Sequence, residues 1–159
     1  GLDILFNNAG VLIPGALHET ASAAWETTFG VNVRGAWLMS KYAIPHMLSR
    51  GRGWIVNNAS IVGLRGFAGL SAYTASKGAV IQLTRSMALE YADKGINVNA
   101  VCPGTTVTPL VTEGFMKRVP DPEEGMRFMK ALHPMGRLAL PEEVARAVLF
   151  LCDERSGFI

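Results

Sequence analysis

Three residues in this chain have the types and spacing of a proton-transfer site. Ser60 is followed thirteen residues later by Tyr73 and four further on by Lys77. On a helix beginning near Ser71, Tyr73 and Lys77 stand at i and i+4, so their side chains share one face, one turn apart. A free phenol has a pKa near ~10, too high for a general base at neutral pH, and a fixed ammonium nearby favours the phenolate. Lowering it by about 3 pH units takes roughly 4 kcal/mol of preferential stabilisation of the anion. A lysine in a partly desolvated cleft supplies much of that, whereas one in bulk water does not. Lys77 is therefore expected to depress the Tyr73 pKa. A serine hydroxyl directed at the same point holds a substrate oxygen while Tyr73 exchanges its proton. Taken alone, a Tyr-x-x-x-Lys pair is an ordinary amphipathic helix contact, so the neighbouring elements decide its meaning.

Those elements alternate. Residues 2–6 (Leu-Asp-Ile-Leu-Phe) form a short apolar run closed by Asn7-Asn8-Ala9-Gly10, the pattern of a parallel strand buried on both faces. Residues 22–48 carry Trp25, Phe29, Val33, Trp37 and Tyr42 at helical spacings, with Gly30, Asn32 and Gly35 marking a local irregularity. A second strand over 53–60 ends at Ser60. A second long helix over 71–93 follows, stopped by Lys94-Gly95, and a third strand over 96–102 stops at Pro103-Gly104. Strand, helix, strand, helix, strand predicts an α/β fold: a partial three-layer Rossmann-type parallel sheet of three core strands with flanking helices. Such sheets bind ligands at the carboxyl ends of their strands. Here those ends are Asn8-Ala9-Gly10, Ser60 and Pro103-Gly104, and the helix of Tyr73 and Lys77 starts at the same edge.

Residues 105–140 are punctuated by Pro109, Pro120, Pro122 and Pro134. They read as a mobile, partly helical flap on the substrate side of one domain spanning 1–159, not as a second domain. Pro141-Glu142-Glu143 opens a last helix to about Cys152, with Val144, Val148 and Leu151, together with Leu149 and Phe150, expected to pack on the sheet.

Composition excludes several classes of function. The net charge is +2 and no basic cluster exceeds Arg50-Gly51-Arg52, so nucleic acid and anionic membrane are not expected partners. The uncharged stretch 95–112 holds two prolines and four threonines, which argues against a membrane span. Cys102 and Cys152 stand fifty residues apart without a CxxC, and His18, His46 and His133 show no ligand spacing, so no metal site is expected. Buried free thiols and the lack of a signal-like opening point to the cytoplasm. Gly1 is not an initiator methionine and a core strand follows at once, which predicts a chain cut from something longer.

The pieces together resemble the short-chain dehydrogenase/reductase family. They come in the family's order: Asn7-Asn8-Ala9-Gly10; Asn32-Val33-Arg34-Gly35; Ser60; Tyr73-Thr74-Ala75-Ser76-Lys77; Asn99-Ala100-Val101-Cys102-Pro103-Gly104 with Thr108; and Gly136-Arg137 before Pro141-Glu142-Glu143. The resemblance implies an NAD(P)-dependent oxidoreductase that interconverts a secondary alcohol and a ketone by hydride transfer. It implies Tyr73 as acid/base, Lys77 as its modulator and a contact to the nicotinamide ribose, Ser60 as the group orienting the substrate, and Asn32 as the holder of a relay water. It also implies that Asn8, Ala9 and Gly10 line the cofactor cleft, and that Pro103, Gly104, Thr106 and Thr108 hold the nicotinamide carboxamide. Relatives associate through the two helices that correspond to 22–48, so a homodimer or homotetramer is expected.

One departure is large. The residues contain no G-x-G-x-x-G turn and no ribose selector, so NAD and NADP cannot be told apart and the adenosine half of the cofactor's grip is missing. An alternative reading follows: a truncated, non-catalytic domain that associates with partners and binds cofactor weakly or not at all. Ser60 lacks a G-x-S-x-G elbow, which argues against a serine hydrolase.

Overall fold

Three short apolar runs pair as a parallel sheet in the order β1-β2-β3: β1 (Ile4–Asn7), β2 (Gly53–Asn58) and β3 (Ile96–Val101). The structure, a computed structural model, describes the backbone of residues 1–159 and the side chains of all of them except Phe115 and Arg118. Leu5 pairs with Ile55 and Ile55 with Val98, so one row of apolar side chains crosses all three strands. Parallel neighbours need crossovers, and these are helical. The first contains α1 (Ser22–Phe29) and α2 (Ala36–Leu48), and the second is α3 (Ser71–Tyr91).

Successive residues of a strand face opposite sides, and the core divides accordingly. Leu5, Ile55, Ile96 and Val98 pack with Ala43, Ile44 and Met47 of α2 and Met87 of α3. Val56 and Val101 pack on the other face with Val148 of α5 (Pro141–Leu151), helped by Val144 and Leu151. The result is a three-layer α/β arrangement. Met47, Ile55 and Ile96 are at most 1% exposed, and each such side chain contributes about 2 kcal/mol by its removal from water.

Three expectations need correction. β1 is not buried on both faces: Leu5 is buried, but Ile4 and Phe6 are 47% and 36% exposed. α5 lies over β2 and β3, and among the described residues no element covers the β1 end of that face. Leu149 and Phe150 do not pack on the sheet. They stand 69% and 56% exposed because α5 turns only the stripe of Val144, Val148 and Leu151 inward. The thiols of Cys102 and Cys152 are free but only half-buried.

Boundaries move by a few residues. The strands run over 4–7, 53–58 and 96–101, and α3 stops at Tyr91 before a short 3₁₀ turn (Ala92–Lys94). Gly95 then takes a φ of 76°, the left-handed conformation expected of a residue that ends a helix. The predicted single helix over 22–48 is interrupted where Gly30, Asn32 and Gly35 suggested, by a π-helical segment (Gly30–Gly35). Such wide turns recur at functional sites, and this one buries Asn32 to 2% exposure.

Residues 105–140 contain a second π-helical segment (Leu110–Phe115), a 3₁₀ turn (Met116–Arg118) and α4 (Pro122–Ala131). Asp121 caps α4 by accepting from the amides of Glu123 (2.9 Å) and Glu124 (3.2 Å), with Pro122 in the first turn. The segment has its own small apolar cluster of Met116, Met129 and Leu138.

Candidate active site

α3 begins at the carboxyl edge of the sheet, and its first two turns bury Tyr73 and Lys77 side by side. The Lys77 Nζ lies 5.7 Å from the centre of the Tyr73 ring and donates a 2.7 Å hydrogen bond to the carbonyl oxygen of Asn58, the last residue of β2. That bond fixes a long, flexible side chain to the strand end. Two residues later the chain reaches Ser60, which is extended and caps the short turn Ile61–Gly63 by accepting from the Val62 amide. From there the Ser60 hydroxyl can hydrogen-bond the Tyr73 phenolate, which pulls the phenol's pKa down. The structure thus brings together the three residues whose spacing first suggested proton transfer.

The expected depression of the Tyr73 pKa is not what this arrangement produces. Burial pushes the phenol up, and the Ser60 hydrogen bond offsets only part of that. Burial also pulls the Lys77 ammonium down, to about 8. The physical reason is that desolvation penalises either charged form. The nearby Cys102 does not supply a fixed counter-charge, because burial pushes its own thiol up. At neutral pH the site therefore holds a protonated phenol beside a mostly charged lysine.

Asn32 reaches the same neighbourhood from the π-helical segment, but its amide already makes three hydrogen bonds. Oδ1 accepts from the Val11 amide at 2.8 Å, and Nδ2 donates to the Val11 carbonyl and to the Ser76 Oγ, both at 3.0 Å. Its side chain ties the loop after β1 to α3, and leaves a relay water to the backbone or to a remaining lone pair of Oδ1.

The cofactor-side residues converge on one cavity of about 660 Å³, which is lined by Asn8, Ala9, Gly10, Ser60, Tyr73, Lys77, Pro103, Gly104, Thr106 and Thr108. Gly10 forms its floor: a Cβ there would stand 3.5 Å from both the Asn32 Oδ1 and the Lys77 Nζ. A bare backbone there leaves room for a flat ring to lie close to both groups. Thr106 Oγ1 donates to the Gly104 carbonyl (3.2 Å) and Thr108 Oγ1 to the Thr106 carbonyl (3.4 Å), both weak local bonds. These hydroxyls can turn to a ligand at little cost. Among the described residues no His/Cys/Asp/Glu group has the makings of a metal site.

Sequence reasoning missed Asn58, which holds Lys77 through its backbone, and left His133 without a specific partner. The His133 Nδ1 donates to the Met129 carbonyl (2.8 Å), and Nε2 accepts from the Thr105 amide (3.0 Å). The imidazole packs so closely on Gly104 that a Cβ there would come within 2.6 Å of Nε2. It thereby joins α4 to the loop assigned to the nicotinamide. His-Pro at the end of a predicted helical piece was the available signal, but nothing in the local pattern named Thr105.

Comparisons with known proteins identify the family. The profile of a family described as enoyl-(acyl carrier protein) reductase matches residues 1–159. The chain is 47% identical to an uncharacterised oxidoreductase of Thermotoga maritima over 99% of its own length and 62% of that protein's. The chain belongs to the short-chain dehydrogenase/reductase family. It is also 42% identical to 2-(S)-hydroxypropyl-CoM dehydrogenase 3 of Xanthobacter autotrophicus, covering 98% of the chain and 60% of that relative. Among solved structures, ElxO with NADP bound superposes with a TM-score of 0.90 at 37% identity, over 100% of this chain and 63% of that one. This short-chain dehydrogenase/reductase chain thus spans about three-fifths of the length of the relatives it matches.

Proposed function

We propose that the protein of which these residues form the catalytic part is an NAD(P)-dependent oxidoreductase that interconverts a secondary alcohol and a ketone. The observation that carries this reading is the meeting of Ser60, Tyr73 and a strand-anchored Lys77 at the wall of a single cavity. Relatives named as dehydrogenases, and an NADP-bound structural neighbour, support it.

In the direction of reduction, Ser60 and Tyr73 both donate hydrogen bonds to the substrate carbonyl oxygen. Burial keeps the phenol protonated, the state a general acid needs. As its proton moves to the substrate oxygen, Lys77 stabilises the phenolate left behind, which concentrates its effect in the transition state. The Asn58 carbonyl keeps the ammonium in place throughout. In oxidation the same groups run in reverse. Bound at Gly10, with Lys77, Thr106, Thr108 and the Gly104 backbone as its contacts, a nicotinamide would supply or accept the hydride. Asn32 positions Val11 and Ser76, and a relay water is its further proposed role.

The segment 105–140 acts as the substrate-side flap of a single domain. Trp25, Trp37 and Tyr42, exposed on α1 and α2, form a homodimer or homotetramer face, and a strictly monomeric species by light scattering would remove that part of the reading. A cytoplasmic location fits a chain in which, among the described residues, no helix is long and apolar enough to cross a membrane.

A second reading rests on one specific feature. These residues hold no glycine-rich pyrophosphate turn, and Ile4 and Phe6 are left open on β1. A polypeptide of only this extent would be a non-catalytic domain with little grip on cofactor. Calorimetry with NADH and NADPH separates the two, and loss of turnover in Tyr73→Phe with unchanged melting tests the first.

A further inference from the structure

The cavity beside Tyr73 is charged in one sense only. Its lining contains two strong cations, Lys77 and Arg65, and no aspartate or glutamate. Lys77 is already bound to the Asn58 carbonyl and faces the floor at Gly10. Arg65 has no such engagement: among the described residues it makes no ion pair, although five other arginines of the chain do. The same cavity is lined by many apolar residues, among them Ile61, Val62 and Phe67 of the loop that carries Arg65, and Leu110 and Val111.

The loop that carries Arg65 is held at both ends. Near its start Gly63 lies against the backbone of Lys77, where a Cβ would come within 2.7 Å of the carbonyl carbon. Near its end the Gly69 carbonyl accepts a 2.8 Å hydrogen bond from the Gly15 amide, and Gly69 itself is left-handed, with a φ of 74°. The span 64–68 between these ties is therefore fixed at the mouth of the cavity, with Arg65 on it. A guanidinium at the rim of an apolar cavity is suited to a carboxylate, sulfonate or phosphate, which it can grip with two parallel hydrogen bonds.

Building on the dehydrogenase reading above, we propose that the substrate is a ketone or secondary alcohol with an anionic group at its far end, and that Arg65 binds that group. The carbonyl lies at Ser60 and Tyr73, an apolar body fills the middle of the cavity, and the anion sits at the mouth. Arg65 sets specificity and takes no part in the proton transfer.

The test uses methyl ketones with a terminal carboxylate, from 4-oxopentanoate to 8-oxononanoate, each paired with its methyl ester. Turnover of acid and ester is compared in the wild-type protein, Arg65→Ala and Arg65→Glu with NADH and NADPH. The acid is expected to be preferred at one or two chain lengths, and Arg65→Ala should lower that acid-over-ester preference by about 10- to 100-fold. Arg65→Glu should reverse it, and added salt should weaken it. An acid-over-ester ratio that is unchanged in both variants overturns the proposal, as does a change confined to the KM for the cofactor. If no ketone of either kind is reduced, the dehydrogenase reading fails separately. Calorimetric binding of the acids and esters to wild-type protein and Arg65→Glu then decides the Arg65 assignment by itself, and equal binding by the two proteins rejects it.

Discussion

On the sheet side of the crevice, buried polar groups link one element to the next, whereas the bonds that shape the segment 105–140 close mainly within it. Asn7 Nδ2 donates to Asn57 Oδ1 (2.8 Å) and to Ser40 Oγ (3.0 Å), and Asn57 Nδ2 donates to Thr84 Oγ1 (2.8 Å), which links β1, α2, β2 and α3. Asn32, Val11 and Ser76 form a second closed set. Opposite them, the segment closes on itself through Thr105 with His133, the pairing of Thr106 with Ala139 and a small apolar cluster, and it meets its surroundings where the His133 ring packs on Gly104 and where Arg137 pairs with Glu143. A satisfied buried network specifies one geometry, because breaking any member leaves an unpaired polar group in a low dielectric. A segment tied at few points opens locally at lower cost. On the proposed reading, the side that moves protons is thus fixed, and the side that admits a substrate is left adaptable.

Tyr73→Phe is the strongest way to test the fixed side. It should lower turnover by about 10²- to 10⁴-fold while thermal melting stays within a few degrees; undiminished turnover would show that the rigid wall is not the chemical one. Asn57→Ala attacks the network itself. Asn57 is 0% exposed, so its loss should cost about 2–4 kcal/mol in urea unfolding, and a cost near zero would remove the distinction between the two walls.

Lys77 sharpens the comparison through pH. Its ammonium is held down to about 8, so kcat for ketone reduction should fall as pH rises through that value, while the raised Tyr73 pKa keeps the acid protonated. Stability should move the other way. A lysine whose pKa is lowered from 10.5 by folding is a cost at low pH that is relieved between about 8 and 10.5. That cost is about 3 kcal/mol, less about 1 for the bond to Asn58, so Lys77→Met should be inactive yet about 2 kcal/mol more stable at pH 7. Parallel pH profiles of activity and stability would contradict this. The smallest effect belongs to the flap. His133→Ala should raise the substrate KM by roughly 3- to 10-fold with little change in kcat, and speed hydrogen exchange over 105–140 alone. Exchange that accelerates equally in β2 would mean that the two regions open together.

What was legible in the sequence follows the same division. Residue types at short spacings identified the strands, the α3 pair of Tyr73 and Lys77 and the break at Asn32, because periodicity and glycine placement are local signals. The buried polar sets were not legible: Asn7 with Asn57 and Asn57 with Thr84 are separated by 50 and 27 residues, and an asparagine in a strand carries no mark of its partner. The direction of the Tyr73 pKa was misjudged for a related reason. Pairing with Lys77 is visible as a spacing, but the depth of burial that outweighs it depends on what packs around α3. On the flap, neither the tie between His133 and Thr105 nor the exposure of Leu149 and Phe150 beyond it follows from composition.

The loop from Ser60 to Tyr73 also acts as a gauge of length. With Gly63 seated on Lys77 and Gly69 bonded to Gly15, a residue added or removed within either tie would shift the serine relative to the phenol. Between the ties, over 64–68, the same change would alter only the rim. Natural drift and laboratory redesign therefore have a window here, five residues wide, in which to reshape the rim without moving the serine against the phenol.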